Sequence, residues 1–258
     1  MDATASTHQS LQIEAFKYAK DGHNILLTGF PGTGKSVCIG EIVDYLSEAK
    51  KVAITSTTGL SASLLRTSNR SAVTIHKFCG LKDGRYDNEE LVDLIKNSES
   101  FEMYKMNIHR CDVLVIDEVS MLSLRQFEQI EYVFRHLKDV SKPFGGCQVI
   151  LSGDFFQLPP IPTIEYGDLG KSIVESQLLV YFHHIHLTHV FRQKEVDLVQ
   201  AIHEIASGDL SCSSQQLLQR MKRPLPPGER PVKLMARRED VFLWNAKCLR
   251  EMPGKKYD

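Results

Sequence analysis

Residues 29–36 have the sequence Gly-Phe-Pro-Gly-Thr-Gly-Lys-Ser, which fits the pattern G-x-x-x-x-G-K-[ST]. An apolar run at Ile25–Thr28 precedes this stretch, and residues 35–48 follow it with apolar side chains at helical spacing. Between a strand and a helix, the three glycines let backbone N–H groups turn towards a phosphate, and the helix adds its positive N-terminal end. We therefore predict a phosphate-binding loop; the alternative is a tight glycine turn before a helix.

Two side chains of the loop suit a nucleotide bound with magnesium. Lys35 supplies a point charge for the β- and γ-phosphate oxygens, and Ser36 supplies a hydroxyl ligand for Mg²⁺. The loop residues predicted to bind ATP are Gly29, Pro31, Gly32, Thr33, Gly34, Lys35 and Ser36.

A second apolar run ends in two acidic residues. Val113–Asp117 is followed directly by Glu118. Asp117 would hold Mg²⁺, directly or through water, and Glu118 would orient and deprotonate the attacking water. An apolar strand that ends in Asp-Glu is also common as a helix cap. Beside the glycine loop, the pair indicates ATP hydrolysis rather than nucleotide binding alone.

Two further residues are candidates for contact with the γ-phosphate. Gln157 lies in residues 153–160, after the fourth apolar run, where ligands of α/β proteins bind. Arg192 follows the fifth run and could stabilise developing charge as an arginine finger. The structural alternatives are a proline-terminated surface loop for Gln157 and a surface salt bridge for Arg192.

Five short apolar runs alternate with helical segments along the chain. Their near-continuous apolar character is typical of strands buried on both faces of a parallel sheet. Residues 35–48 and 124–138 show helical spacing between runs. The alternation predicts a doubly wound α/β fold with a parallel central sheet flanked by helices. The predicted strands are Ile25–Thr28, Val52–Thr55, Val113–Asp117, Val149–Ser152 and Ile185–Thr188.

Composition excludes several classes of protein. The 258 residues are 42% hydrophobic and 24% charged, as in ordinary globular domains. No apolar stretch is long enough to span a bilayer, and no signal or transit peptide is visible at the N-terminus. The six cysteines show no metal-binding spacing, which favours reduced thiols inside a cell. A net charge of −1 gives no global attraction to nucleic acid, so DNA binding must come from local surface.

The remaining segments suggest how the chain is divided. Residues 82–107 are polar and are predicted to form an inserted loop and helix outside the core. Residues 207–231 are rich in Ser, Gln and Pro and are predicted to form a linker or an extended crossing. Residues 232–236 then resemble a strand and residues 238–252 a helix. These features predict an ATPase domain at 1–206, the linker, and the start of a second domain at 232–258.

Five ordered motifs together resemble the superfamily 1 DNA helicases of the RecD/PIF group, most closely the PIF (petite integration frequency) family. The resemblance extends from about Gln12 to Ile205. In the phosphate loop Phe30-Pro31 replaces the family's usual Ser/Ala-Ala, a change expected to matter little because both positions act through backbone. The motifs are Thr55–Ala62, Thr74–Phe78, Asp117–Met121, Pro143–Gly146 with Gly153–Pro160, and Phe191–Gln193.

The resemblance implies a RecA-like domain whose ATP cycle drives 5′-to-3′ movement along single-stranded DNA. Gln12 would read the adenine. Threonine hydroxyls would contact DNA phosphates, whereas His76 and Phe78 would lie beside bases. The alternatives are a local hydrogen bond for His76 and core packing for Phe78. The residues predicted to contact DNA are Thr57, Thr58, Gly59, Thr74, His76 and Phe78.

The same resemblance sets the expected partners and the limits of activity. The partners would be single-stranded or forked DNA, with no membrane and a monomeric chain. Roles in DNA repair, recombination and telomere maintenance would follow, in the nucleus or mitochondrion of a eukaryote. The second domain, which normally helps to enclose ATP, is only begun here, so weak ATPase activity and poor unwinding are expected. A nucleotide-dependent regulatory ATPase and a DNA-binding remnant are the alternative functions.

Overall fold

The computed structural model describes residues 3–65, 71–224 and 232–254, with only the backbone described for 3–9. The described residues form two compact units, one up to Gln215 and one from Gln216. None of the described helices has the length and apolar character needed to cross a membrane.

The first unit is built on a six-stranded sheet in which every described pairing is parallel, with the strand order β3-β2-β4-β5-β1-β6. The predicted parallel α/β fold is confirmed, and each of the five predicted strands is present. The three-residue strand β3 was not predicted, because it is too short to show a pattern. The strands are β1 (Asn24–Gly29), β2 (Val52–Ser56), β3 (Ala72–Thr74), β4 (Val113–Asp117), β5 (Gln148–Gly153) and β6 (Phe182–Leu187).

Helices cover both faces of this sheet. The predicted helices at 35–48 and 124–138 are confirmed as α2 and α7. The described α-helices are α1 (Ala3–Lys20), α2 (Lys35–Ser47), α3 (Gly59–Leu65), α4 (Ile75–Cys79), α5 (Asn88–Asn97), α6 (Glu102–Arg110), α7 (Leu124–Leu137), α8 (Val196–Ser207), α9 (Cys212–Met221) and α10 (Arg238–Glu251).

The core has two layers, one on each side of the sheet. Successive side chains of a strand point to opposite faces, so Leu114 and Ile116 join one layer while Val113 and Val115 join the other. The first layer is closed by α5, α6 and α7, and the second by α1 and α2. Burial on both faces explains why these strands are apolar almost without interruption.

The prediction that residues 82–107 lie outside the core is wrong. They form α5 and the beginning of α6, and Leu91, Ile95 and Phe101 are buried in the first layer. The segment looked polar because α5 is amphipathic: its acidic residues face water while a narrow apolar stripe faces the core.

Two predictions near the C-terminus also need correction. The region 207–231 is not a continuous linker, since it contains the ten-residue helix α9; residues 225–231 lie outside the described part. Residues 232–236 do not form a strand, and their apolar side chains are exposed, Val232 by 90% and Leu234 by 95%. A strand needs a hydrogen-bonding neighbour, and no described strand pairs with this segment. The helix predicted at 238–252 is confirmed as α10.

Candidate active site

Three neighbouring strands end at the same edge of the sheet. β4, β5 and β1 are adjacent and parallel, so the segments that follow Asp117, Gly153 and Gly29 emerge side by side. In open α/β sheets this carboxyl edge is where ligands bind. The residues predicted for phosphate binding and hydrolysis therefore meet in one region.

The phosphate loop connects β1 to α2 and depends on glycine where other segments approach it. Gly32 has φ 82°, and a Cβ placed there would lie 2.7 Å from Cβ of Arg192. Gly34 has φ 87°, and a Cβ there would lie 2.7 Å from Nε2 of Gln12. The backbone N–H of Phe191 also donates to the Gly32 carbonyl at 2.8 Å. The loop is thus enclosed by Gln12 on α1 and by the segment after β6.

Lys35 lies at the first position of α2 and turns back over the loop. Its Nζ donates to the carbonyl oxygens of Gly29 (2.6 Å) and Phe30 (3.1 Å). Burial lowers the pKa of Lys35, an effect opposed mainly by the negative charges of Asp154 and Glu118. The ammonium group therefore lies among carboxylates at the mouth of the loop. Ser36, the predicted magnesium ligand, is exposed in the same turn of α2.

The two predicted acids occupy different environments. Asp117 ends β4 and is only 6% exposed. Glu118 follows in the left-handed region, at φ 56° and ψ 42°, which is uncommon for a residue with a side chain and is often found at functional sites. Burial raises the pKa of Glu118, and the nearby Asp117 raises it further while Lys35 lowers it. A carboxyl group with a raised pKa is suited to accepting a proton.

Gln157 is fixed by an acidic residue that was not among the predicted site residues. Asp154 is 3% exposed, and its carboxylate accepts the backbone N–H of Phe156 at 3.0 Å and Nε2 of Gln157 at 3.1 Å. Sequence offered a signal for it, since Asp154 follows β5 much as Asp117 ends β4. A carboxylate beside a buried strand end can act by orienting a neighbour as well as by binding a metal.

The residues predicted to contact DNA follow β2 and β3, at the same edge of the sheet. Several of them have structural partners within the chain. Thr57 Oγ1 donates to the Glu118 carbonyl at 2.9 Å, Thr58 Oγ1 lies 2.7 Å from Ser61 Oγ, and Thr74 Oγ1 accepts the N–H of Lys77 at the start of α4. Gly59 begins α3.

The aromatic members of this set are more enclosed than the threonines. Burial lowers the pKa of His76, and a hydrogen bond with the Gln126 side chain opposes that shift. Phe78 is partly buried and packs against the first core layer. His76 therefore has a hydrogen-bond partner within the chain, on α7, and Phe78 contributes to core packing.

A cavity of about 480 Å³ joins the two groups of predicted residues. Its lining includes Thr58 from the predicted DNA-binding segment together with Glu118 and Gln157 from the predicted catalytic set. The buried Ser120 Oγ, which also lines it, has no hydrogen-bond partner within the described part of the chain. The two groups of predicted residues therefore face the same space.

Comparison with known proteins places the chain among helicases. A profile described as PIF1-like helicase matches residues 7–210. The ATP-dependent DNA helicase PIF1 of Emericella nidulans is 37% identical over 210 residues, and that of Saccharomyces cerevisiae is 32% identical over 255 residues. These alignments cover 79% and 95% of this chain. The chain spans only 27% and 28% of the length of these relatives.

The crystal structure of Pif1 helicase from Candida albicans is similar at a TM-score of 0.82 and 29% identity. The match covers 95% of this chain and 55% of that chain, and it confirms the predicted RecA-like fold. Because the family profile covers most of its length, the chain belongs to the PIF1-like helicase family.

Proposed function

We propose that this chain hydrolyses Mg-ATP and forms the motor part of a DNA helicase that moves 5′ to 3′ along single-stranded DNA. The observation that carries the proposal is the meeting of Lys35, Asp117, Glu118 and Gln157 at the carboxyl ends of three adjacent strands. These are the residue types that bind phosphate, hold magnesium, activate water and sense the γ-phosphate. The DNA part of the proposal is supported by membership of the family and by the names of its relatives.

The donor set fits magnesium-bound nucleotide. The Ser36 hydroxyl and the Asp117 carboxylate are hard oxygen ligands of the kind that Mg²⁺ prefers. The unpaired Ser120 Oγ adds a buried oxygen beside Glu118 that can hydrogen-bond a water molecule. Bound Mg²⁺ supplies positive charge to the phosphate oxygens. Lys35 would add a second positive charge at the same loop, where its Nζ lies on the Gly29 and Phe30 carbonyls.

Glu118 is the group proposed to activate the attacking water. Its raised pKa makes it a stronger base than an exposed carboxylate, and its left-handed backbone turns it away from the path of β4. Gln157, held by Asp154, is proposed to contact the γ-phosphate. Arg192, which packs against the loop at Gly32, is proposed to stabilise charge in the transition state.

Two assignments at the borders of the site complete the proposal. Gln12 approaches the loop at Gly34 and is proposed to recognise the adenine. Residues 1–206 would form the ATPase domain, and residues 232–258 would begin a second RecA-like domain.

Single-stranded or forked DNA is proposed to cross the edge formed by the ends of β2 and β3. Thr57, Thr58 and Thr74 would contact phosphates, and His76 would contact a base at the same edge. The cavity that Thr58 shares with Glu118 and Gln157 favours coupling of DNA binding to hydrolysis.

The test is steady-state ATP hydrolysis by the 258-residue chain, with and without oligo-dT. Turnover that oligo-dT stimulates, and that Lys35→Ala and Glu118→Gln both abolish, is the expected result. A matched control is Lys50→Ala. Lys50 follows the other end of α2, where its Nζ donates to Gln148 Oε1 at 2.9 Å, so this variant should retain full turnover. Binding of ATP without stimulated turnover would indicate that a second domain is needed to complete the catalytic site. Folded protein that binds no nucleotide would contradict the proposal.

A further inference from the structure

Phe30 does more than contribute backbone to the phosphate loop. Its ring stacks on Phe156, with centroids 5.1 Å apart and an interplanar angle of 14°. The same ring stacks on His203 at 4.0 Å and 26°. Phe30 is thus shared by two stacks that join the phosphate loop, the segment after β5 and helix α8. The expectation that this position acts only through backbone is incomplete.

The partners of Phe30 connect it to Gln157. Phe156 immediately precedes Gln157, and the Asp154 carboxylate binds both the N–H of Phe156 and the amide of Gln157. Asp154 fixes these two residues within their own segment by hydrogen bonds. The ring contact between Phe30 and Phe156 links this segment to the loop.

The backbone of Phe30 strengthens the connection. Its carbonyl accepts Lys35 Nζ at 3.1 Å and Thr33 Oγ1 at 2.8 Å. Phe30 therefore has two roles. Its carbonyl contacts Lys35, the residue proposed to bind the β- and γ-phosphates, and its ring contacts Phe156, which precedes the proposed γ-phosphate sensor Gln157. Displacement of the ring would change the distance between Gln157 and the phosphates.

We propose that Phe30 is a positioning residue, whose stacking on Phe156 and His203 holds Gln157 where it distinguishes ATP from ADP. The proposal rests on the nucleotide-binding function proposed above. It concerns the γ-phosphate alone, so the loss of the ring should weaken binding of ATP and leave binding of ADP almost unchanged.

The experiment compares the affinities of the full chain for ADP and for the β,γ-imido analogue of ATP, both with Mg²⁺, by displacement of a fluorescent ADP. The parent protein should bind the ATP analogue more tightly. Phe30→Ala should reduce this preference roughly two- to tenfold, the range that aromatic pairs supply. Phe30→Tyr keeps the ring and should keep the preference.

Three further variants separate positioning from general stability. Phe156→Ala should reproduce the effect, and its side chain is 58% exposed, so folding should be preserved. Tyr132→Ala removes a comparable ring–histidine stack within α7 (3.9 Å, 27°) and should leave the preference intact. In a Gln157→Ala background Phe30→Ala should have no further effect, because Phe30 acts through Gln157.

The outcomes distinguish the two proposals. If the parent protein binds neither nucleotide, the proposed function fails and the role of Phe30 fails with it. If it binds both and Phe30→Ala and Phe156→Ala leave the preference unchanged, the role of Phe30 alone is overturned. An equal loss of affinity for both nucleotides would also overturn it, because such a loss indicates damage to the whole loop.

Discussion

The ends of β1, β4 and β5 differ from the ends of β2 and β3 in what their polar side chains do. At the first group, Lys35, Glu118 and Asp154 converge, and burial and mutual charge shift the pKa values of Lys35 and Glu118. At the second group, Thr58 and Thr74 are engaged in local hydrogen bonds at helix starts. Charged side chains that converge at a strand end are typical of a binding or catalytic site. A threonine at the start of a helix is accounted for by the backbone N–H group that it caps. Substitutions at the two groups of strand ends should therefore differ in their effects on ATP turnover and on DNA binding.

The largest effect is expected from Glu118→Gln, which keeps the shape of the side chain and removes its basicity. Loss of a general base should lower ATP turnover roughly 10²- to 10⁴-fold. Measured nucleotide affinity should change little, because Lys35 and the loop remain. Full turnover in this variant would assign the base to another residue.

The raised pKa of Glu118 gives an expected pH dependence. The carboxylate form is the active one, so kcat/KM should rise with pH as Glu118 loses its proton. Because burial and Asp117 raise this pKa, the inflection should lie above the ordinary value of 4.5. A pH–rate profile checks it, and below the inflection the rate should fall about tenfold for each pH unit. A flat profile across this range would contradict the role of Glu118.

A smaller effect is expected from Asp154→Asn. The asparagine amide is a weaker hydrogen-bond acceptor than the carboxylate, which accepts from the Phe156 N–H and from Gln157 Nε2. Gln157 should therefore lose its fixed orientation, and kcat should fall roughly tenfold. Asp168→Asn is the matched control, since Asp168 is similarly buried and accepts bonds from Ser123 Oγ and the Gly170 N–H. The Asp168→Asn variant should have a lower melting temperature, but its kcat, measured at a temperature well below that melting temperature, should be unchanged.

The smallest effect is expected on the DNA side. Thr74→Ala removes the N-cap of α4 and should cost about 1 kcal/mol of stability, measured by denaturant unfolding. If Thr74 also contacts a phosphate, the affinity for oligo-dT should fall by a few-fold. Asp87→Ala removes the N-cap of α5, so it should match the loss of stability and leave DNA affinity unchanged. Equal DNA affinity in both variants would leave Thr74 a purely structural residue.

Sequence predicted the strands well where both faces are buried. Val113–Asp117 is buried at every position, and its apolar pattern left little alternative. Residues 232–236 are also mostly apolar but form no strand, because a strand depends on pairing with a neighbouring strand as well as on its own residues. The burial of helix α5 was not predicted, because the average composition of an amphipathic helix is polar even though one of its faces is apolar.

Sequence also located most of the candidate site, since a phosphate loop and an acidic strand end are local patterns. It did not show the contacts that hold those patterns together. The bond from Gln157 to Asp154 and the stacking of Phe30 on His203 join residues through the tertiary fold. Such contacts have no fixed spacing in sequence, so only the structure could identify them.

The proposed function depends on a nucleotide site that this chain forms with its own residues at the ends of β1, β4 and β5. The most direct test is an equilibrium titration of the folded chain with fluorescent ATP and Mg²⁺ in the absence of DNA, beside Lys35→Ala. Saturable binding of one nucleotide per chain, which Lys35→Ala abolishes, is the expected result. Folded protein that shows no saturable binding, or binding unaffected by Lys35→Ala, would contradict the proposed nucleotide site.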